Sequence, residues 1–227
     1  RHELRNGRAG LHPHQLVEIA SRQQEEEQHD GGIEIGVVAP VDGFEGRLGA
    51  EFGGYDTKRL NANIAGTKGV FEGSVGGAFV KSAGISALAG GTERDGYANA
   101  TGNAGLKVNI SDSFTLDFRS YYNRAKVEYD SEFGVGANGL PVSRNRQFVG
   151  YVGAQFDMLD GRFHNRIAYT RTDLRRIGTD PIVFSFNNFN VRGAIDRVEY
   201  HTAFDLNDAL TFVAGVEYER TFTSTSF

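Results

Sequence analysis

Alternation with a period of two is the feature that most limits what this chain can become. In ANATGNAGLKVNI, Ala98, Ala100, Gly102, Ala104, Leu106, Val108 and Ile110 hold one parity, while Asn99, Thr101, Asn103, Lys107 and Asn109 hold the other. A strand turns successive side chains to opposite faces, so this segment has one greasy face and one wet face. Beyond Ser111 and Asp112 the pattern resumes, with Phe114, Leu116, Phe118 and Tyr122 set against Thr115, Asp117, Arg119 and Asn123. Two strands of about a dozen residues exceed the ~5 to 6 usual in globular proteins. They suit a tilted membrane-crossing strand of ~9 to 11 residues.

The rest of the chain repeats this unit. Phe44, Gly46, Leu48, Ala50 and Phe52 oppose Glu45, Arg47 and Glu51; Leu60, Ala62 and Ile64 oppose Arg59, Asn61 and Asn63; Phe71, Val75 and Phe79 oppose Glu72 and Ser74. Later, Phe148, Val152, Ala154 and Phe156 alternate with Gln147, Tyr151 and Gln155, and Phe163, Ile167 and Tyr169 with Arg162, His164, Arg166 and Thr170. The last pair sets Val198, Tyr200, Thr202 and Phe204 against Arg197, Glu199, His201 and Asp205, and Leu210, Phe212, Ala214, Val216 and Tyr218 against Thr211, Glu217 and Glu219. This predicts nine strands between Phe44 and Phe222.

The connections say more than the strands. Short turns are predicted at Gly53-Gly54-Tyr55-Asp56, Thr67-Lys68-Gly69, Ser111-Asp112, Leu159-Asp160-Gly161 and Asn207-Asp208, and long irregular segments at 81–97, 127–146 and 173–194. Alternate connections of an antiparallel meander emerge at the same end, so the long segments all lie on one side. Short turns on one side and long loops on the other is the layout of an outer-membrane barrel. Tyr121, Tyr122, Tyr151, Tyr169 and Tyr218 lie near strand ends, where an interfacial girdle would hold them. The predicted fold class is all-β: a partial antiparallel transmembrane β-barrel meander over residues 33–227. A soluble β-sandwich or an up-and-down ligand-binding barrel shares the alternation. Strand length, one-sided loops and a wet face rich in Arg, Glu, Asn and Asp argue against both.

Composition agrees. Thirty glycines against 4 prolines and 1 methionine favour turns and close-packed strands. The 24 basic residues are dispersed and the net charge is -5, so no nucleic-acid footprint is present. The chain lacks cysteine, which excludes disulfides and thiolate metal sites. No apolar run approaches the ~18 residues of a transmembrane helix, a test to which barrel strands are blind. Residues 1–32 differ in kind, carrying His2, His12, His14 and His29 and the charged run RQQEEEQHD. They read as a disordered or short helical lead segment, and their histidines lack convincing metal-ligand spacing. The chain begins without a methionine or a signal sequence and is read as part of a longer polypeptide.

The segments GFEGRLGAEFGGYDTKRLNANIAG and FVKSAGISALAGGTERDGYANATGNAGLKVNISDSFTLDFRSYYNRAKVEYD resemble the first barrel strands of TonB-dependent outer-membrane receptors, notably the cobalamin-receptor-like branch. The likeness rests on Gly84-Ile85-Ser86-Ala87 and on Glu93-Arg94-Asp95-Gly96-Tyr97-Ala98-Asn99; Gly31-Gly32-Ile33-Glu34-Ile35 is similar to the end of the family's plug domain. The resemblance implies a receptor in the outer membrane of a Gram-negative bacterium. It would take a scarce small-molecule ligand, a siderophore or cobalamin, and be energised by the TonB complex through a plug. The implied ligand-facing residues of the extracellular loops are Glu93, Asp95, Tyr97, Asp130, Glu132, Asp173 and Asp180. Calcium among these carboxylates is a further implication, since hard cations gather several oxygens. The rival readings are a passive porin, an autotransporter translocation barrel and, more remotely, an outer-membrane hydrolase. No Ser, His and Asp arrangement supports the hydrolase, with His164 and His201 standing singly among wet-parity residues.

Overall fold

The computed structural model describes residues 37–41, 43–86, 93–130, 141–180, 188–207 and 209–227. The lead segment, Glu132 and Asp208 lie outside the described residues. Strands β1 (Val37–Val41), β2 (Phe44–Gly53), β3 (Thr57–Lys68), β4 (Phe71–Ser82), β5 (Tyr97–Ser111), β6 (Phe114–Glu128), β7 (Val142–Met158), β8 (Phe163–Thr179), β9 (Phe189–Asn207) and β10 (Leu210–Ser226) follow in order. They form one sheet in which every strand pairs antiparallel with its chain neighbours. Among the described residues β1 pairs only with β2 and β10 only with β9, so the sheet is open. This is the expected meander with one strand more.

The added strand, β1, contains Pro40 opposite Glu45. Proline removes a ladder donor and is excluded from central strands, but a sheet edge tolerates it.

Register settles which side chains share a face, because directly paired residues point the same way. The row through Leu106 runs Gly73, Leu106, Phe118, Val152, Tyr169, Val198 and Tyr218 across β4 to β10. The row through Val108 runs Phe71, Val108, Leu116, Ala154, Ile167, Tyr200 and Val216. Ala50, Leu106, Phe118, Val152, Phe204 and Val216 therefore lie on one apolar face. Tyr122, Tyr169 and Tyr218 lie there too. Tyr121 and Tyr151 do not: they pair with Asn103 and Arg119 on the wet face, which removes them from the expected girdle. Arg119 sits over the Tyr151 ring at 5.3 Å from its centroid.

The apolar band slants across the hydrogen-bond rows. On β2 it centres on Leu48, whose row reaches β10 at Phe222, whereas the band on β10 spans Phe212 to Tyr218. The offset is about seven residues over eight strand steps, or about 23 Å of rise against about 38 Å of width, which gives strands tilted by about 30° from the band normal. Transmembrane barrels tilt their strands by ~35 to 45°.

The strands are also longer than the alternation suggested. Those from β7 to β10 have 17, 17, 19 and 17 residues, and the long connections shrink to 83–96, 129–141 and 180–188. The described short connections, at Gly43, Val70, Ser113 and Gly161, lie at the opposite end, while the turn through Tyr55 and Asp56 shares the long-loop end.

Asn165 is an exception on the apolar face and is only 4% exposed. Its Oδ1 accepts from Tyr200 Oη at 2.6 Å and Thr202 Oγ1 at 3.1 Å, and its Nδ2 donates to the carbonyls of Phe163 at 3.2 Å and Phe156 at 3.4 Å. Asn165→Leu leaves two hydroxyls without this acceptor. A loss of about 1 to 3 kcal/mol is expected, read by denaturant unfolding followed through the β-sheet circular dichroism signal; an unchanged midpoint would refute the network's role.

Candidate functional site

The long-loop end of β4 to β6 is where the resemblance motif becomes a structure. The base of the 83–96 connection is tied to the β2–β3 turn: Ala83 N donates to Tyr55 O at 2.9 Å, and Thr57 Oγ1 donates to Ser82 Oγ at 2.9 Å. Gly84 then takes φ +69, a left-handed conformation, and a Cβ there would overlap the Asp95 carbonyl oxygen. Only glycine lets the two limbs approach this closely. Asp95 N donates to Ile85 O at 3.2 Å, and Glu128 N donates to Gly96 O at 2.8 Å, closing the limbs on each other and on the end of β6.

This clamp brings together residues far apart in sequence. Ser86 Oγ donates to Glu93 Oε1 at 2.9 Å and lies 3.5 Å from Asp130 Oδ2, so one hydroxyl stands between two of the expected carboxylates. Tyr97 leads from there onto the wet face: its oxygen accepts from Asn99 Nδ2 at 2.8 Å, and Asn99 Oδ1 accepts from the buried Asn123 Nδ2 at 2.7 Å.

A second group forms beside it. The backbone N–H of Asp180, a residue 8% exposed, donates to Asn188 Oδ1 at 2.8 Å. Tyr129 N donates to Pro141 O at 3.1 Å, and Arg176 donates from Nε to Ser143 Oγ at 3.2 Å while stacking 5.3 Å from the Phe189 centroid. Partial burial raises the Tyr129 phenol above its usual range, opposed by the Arg176 cation and reinforced by the Asp180 carboxylate.

Asp173 belongs to neither group. It lies within β8, not in a loop, and pairs in register with Phe148 and Ala194 on the apolar-parity face. There Arg171 grips it through Nε at 2.8 Å and Nη2 at 2.9 Å, and holds Asp196 through Nη1 at 2.7 Å. Among the described residues no three His, Asp or Glu side chains are arranged to hold a metal ion. At the short-turn end, His164 stands between Asp157 Oδ1 at 2.8 Å and Asp205 Oδ2 at 3.5 Å. A nucleophilic triad wants one carboxylate and one hydroxyl on the ring, so this is a surface charge pairing.

No protein-family model matches the chain, and no curated protein matches it in sequence. Among solved structures it is similar to the ferric-catecholate import receptor Fiu of E. coli in its closed form, with TM-score 0.40 and 11% identity over 86% of this chain and 45% of that one. The chain thus spans less than half the length of that receptor.

Ser86, Tyr129, Ser143, Arg176 and Asn188 were not anticipated as site residues. Ser86 had a signal, since it stands inside the Gly84-Ile85-Ser86-Ala87 motif, but neutral hydroxyls attract less notice than carboxylates. For Arg176 and Ser143 no local signal exists: they meet because β7 and β8 run on in register beyond the alternating part.

Proposed function

We propose that the chain forms part of the wall of an outer-membrane β-barrel in a Gram-negative bacterium, of the TonB-dependent receptor kind. Its long-loop side takes a small-molecule ligand such as a siderophore or cobalamin, and the TonB complex energises inward movement through a plug. One observation carries the barrel reading: a single antiparallel sheet, apolar across one face in a slanting band, with its long connections gathered at one end. The receptor reading rests on the Gly84–Ala87 and Glu93–Asn99 motifs, of which Gly84, Ile85 and Ser86 meet Glu93 and Asp95 at that end. The loop residues we assign to ligand contact are Glu93, Asp95, Tyr97, Asp130 and Asp180, with Ser86 and Tyr129 beside them. Calcium wants roughly six to eight oxygens; Glu93 and Asp130 bring two carboxylates to one hydroxyl, and the reading does not require the metal. The edges of β1 and β10 need partner strands in hydrocarbon, where every unpaired backbone group is costly.

Outer membranes of cells producing the protein test this. Radiolabelled ferric siderophores and cyanocobalamin are titrated one by one, and one of them is expected to bind saturably. Its affinity should fall about tenfold or more in a Ser86→Ala, Glu93→Gln double variant, the loss of one or two charge-assisted hydrogen bonds. Ion conductance without saturable binding of any member would make the chain a passive porin and reject the receptor reading.

A further inference from the structure

The upper part of the apolar-parity face is not apolar. One row above Phe148, directly paired residues on four adjacent strands are Arg124, Arg146, Arg175 and Arg192, and the next row adds Lys126 and Arg144. All four arginines of the first row are exposed. Among the described residues none of them has a carboxylate within ion-pair distance, and Arg175 reaches only Asn190 Oδ1 at 3.5 Å. Like charges directly opposite one another destabilise a sheet. The acidic groups on this face are already engaged: Asp173, in the row directly below, and Asp196 are held by Arg171, with Arg220 paired opposite Asp196, and Glu128 is held by Lys126 at 2.5 Å. The arginine row is therefore a repulsive array without an internal counter-charge.

Two depressions adjoin it. One, of about 360 Å³, is lined by Arg146, Arg171, Asp173, Arg175, Arg192 and Phe222. The other, of about 430 Å³, lies toward the middle of the apolar band, where Ala104, Ser120 and Gly150 leave a trough between Phe118 and Tyr169. Phe148 and Arg171 line both. The Phe148 ring leans over Gly150, where a Cβ would stand 3.0 Å from it. A cationic pocket thus opens into an apolar trough on the face that, in the reading above, meets lipid.

We propose that this face binds an anionic membrane lipid, with its headgroup phosphate held by Arg146, Arg175 and Arg192 and an acyl chain lying in the trough beside Gly150. Guanidinium forks match phosphate oxygens in geometry, and the phosphate supplies the charge the row lacks. Tyr122, one row below Arg124 on the same strand, marks the level at which headgroups begin. This inference rests on the outer-membrane reading for its lipid.

The full chain in neutral phosphatidylcholine micelles is doped with phosphatidic acid, and retained lipid is counted by native mass spectrometry. Phosphatidic acid is expected to be retained in preference to phosphatidylcholine. An R146Q/R175Q/R192Q variant should lower that preference by on the order of a hundredfold, each basic side chain at an anionic surface being worth about a factor of five. Gly150→Leu should weaken phosphatidic acid retention, and soluble glycerol 3-phosphate should not compete. In neutral micelles the triple variant should melt no lower than the parent chain, because in-row repulsion is relieved. Preference unchanged by the triple variant, competition by glycerol 3-phosphate, or a lower melting temperature in neutral micelles would each overturn the proposal. Spin labels at Leu106 and Val152 separate it from the underlying reading. Lipid protection without headgroup preference rejects this site alone, and water exposure rejects the membrane wall.

Discussion

Val152→Arg is expected to cost about 2 to 4 kcal/mol of stability in a bilayer, the penalty for a cation on the lipid face near the midplane. Val152 lies in the row with Leu106, Phe118 and Tyr169, close to the centre of the slanting apolar band on β7. An arginine there must either carry its charge into hydrocarbon or reach about three rows upward to the headgroups, beyond the length of its side chain. Asn103→Arg is the companion measurement. Asn103 pairs with Gly76 and Tyr121 on the wet face, so its substitution should change stability by less than about 1 kcal/mol. Denaturant unfolding of the two variants in the same vesicles gives the comparison. Equal costs at the two positions would mean that both faces meet the same medium, and the membrane assignment would fall.

The difference between those faces is also why so much of the fold was legible in the sequence. Where one face is apolar and the other wet, side chains alternate and the strand shows itself, as from Phe44 to Phe52 or Phe114 to Tyr122. Above the band both faces are wet, the alternation stops, and backbone pairing continues because N–H and C=O groups need partners whatever the side chains are. Residues 142–146, 173–179 and 189–193 therefore read as loop while forming the ends of β7, β8 and β9. Asp173 was misplaced for the same reason. Its neighbours Arg171 and Arg175 share its parity, and a charged residue at every second position resembles a solvated loop when only polarity is read. The clamp at the site was partly visible, since both its motifs stood out, but nothing in the sequence says that Gly84 faces Asp95 or that Ser86 lies between Glu93 and Asp130.

Gly84→Ala should release that clamp without disturbing the sheet. The left-handed φ of +69 alone costs a non-glycine residue about 1 to 3 kcal/mol, and the added methyl would also collide with the Asp95 carbonyl, a backbone atom that cannot swing away. The chain relieves both by separating the limbs, which breaks the Asp95 to Ile85 hydrogen bond and draws Glu93 from Ser86. Gly69 makes the contrast, because its φ is +59 but nothing lies within 4 Å of an added Cβ, and it sits at the short-turn end. Amide hydrogen exchange at Asp95 should accelerate by about 5- to 150-fold in Gly84→Ala, the range those energies span, and remain unchanged in Gly69→Ala. Exchange along β4 and β5 should stay slow in both variants, since strand pairing stops at Ser82 and Tyr97. Ligand binding should weaken with the first variant and persist with the second. If binding survives while the Asp95 amide opens, the clamp shapes the loop but does not form the ligand site, and the contact residues must be sought around Asp180 and Tyr129.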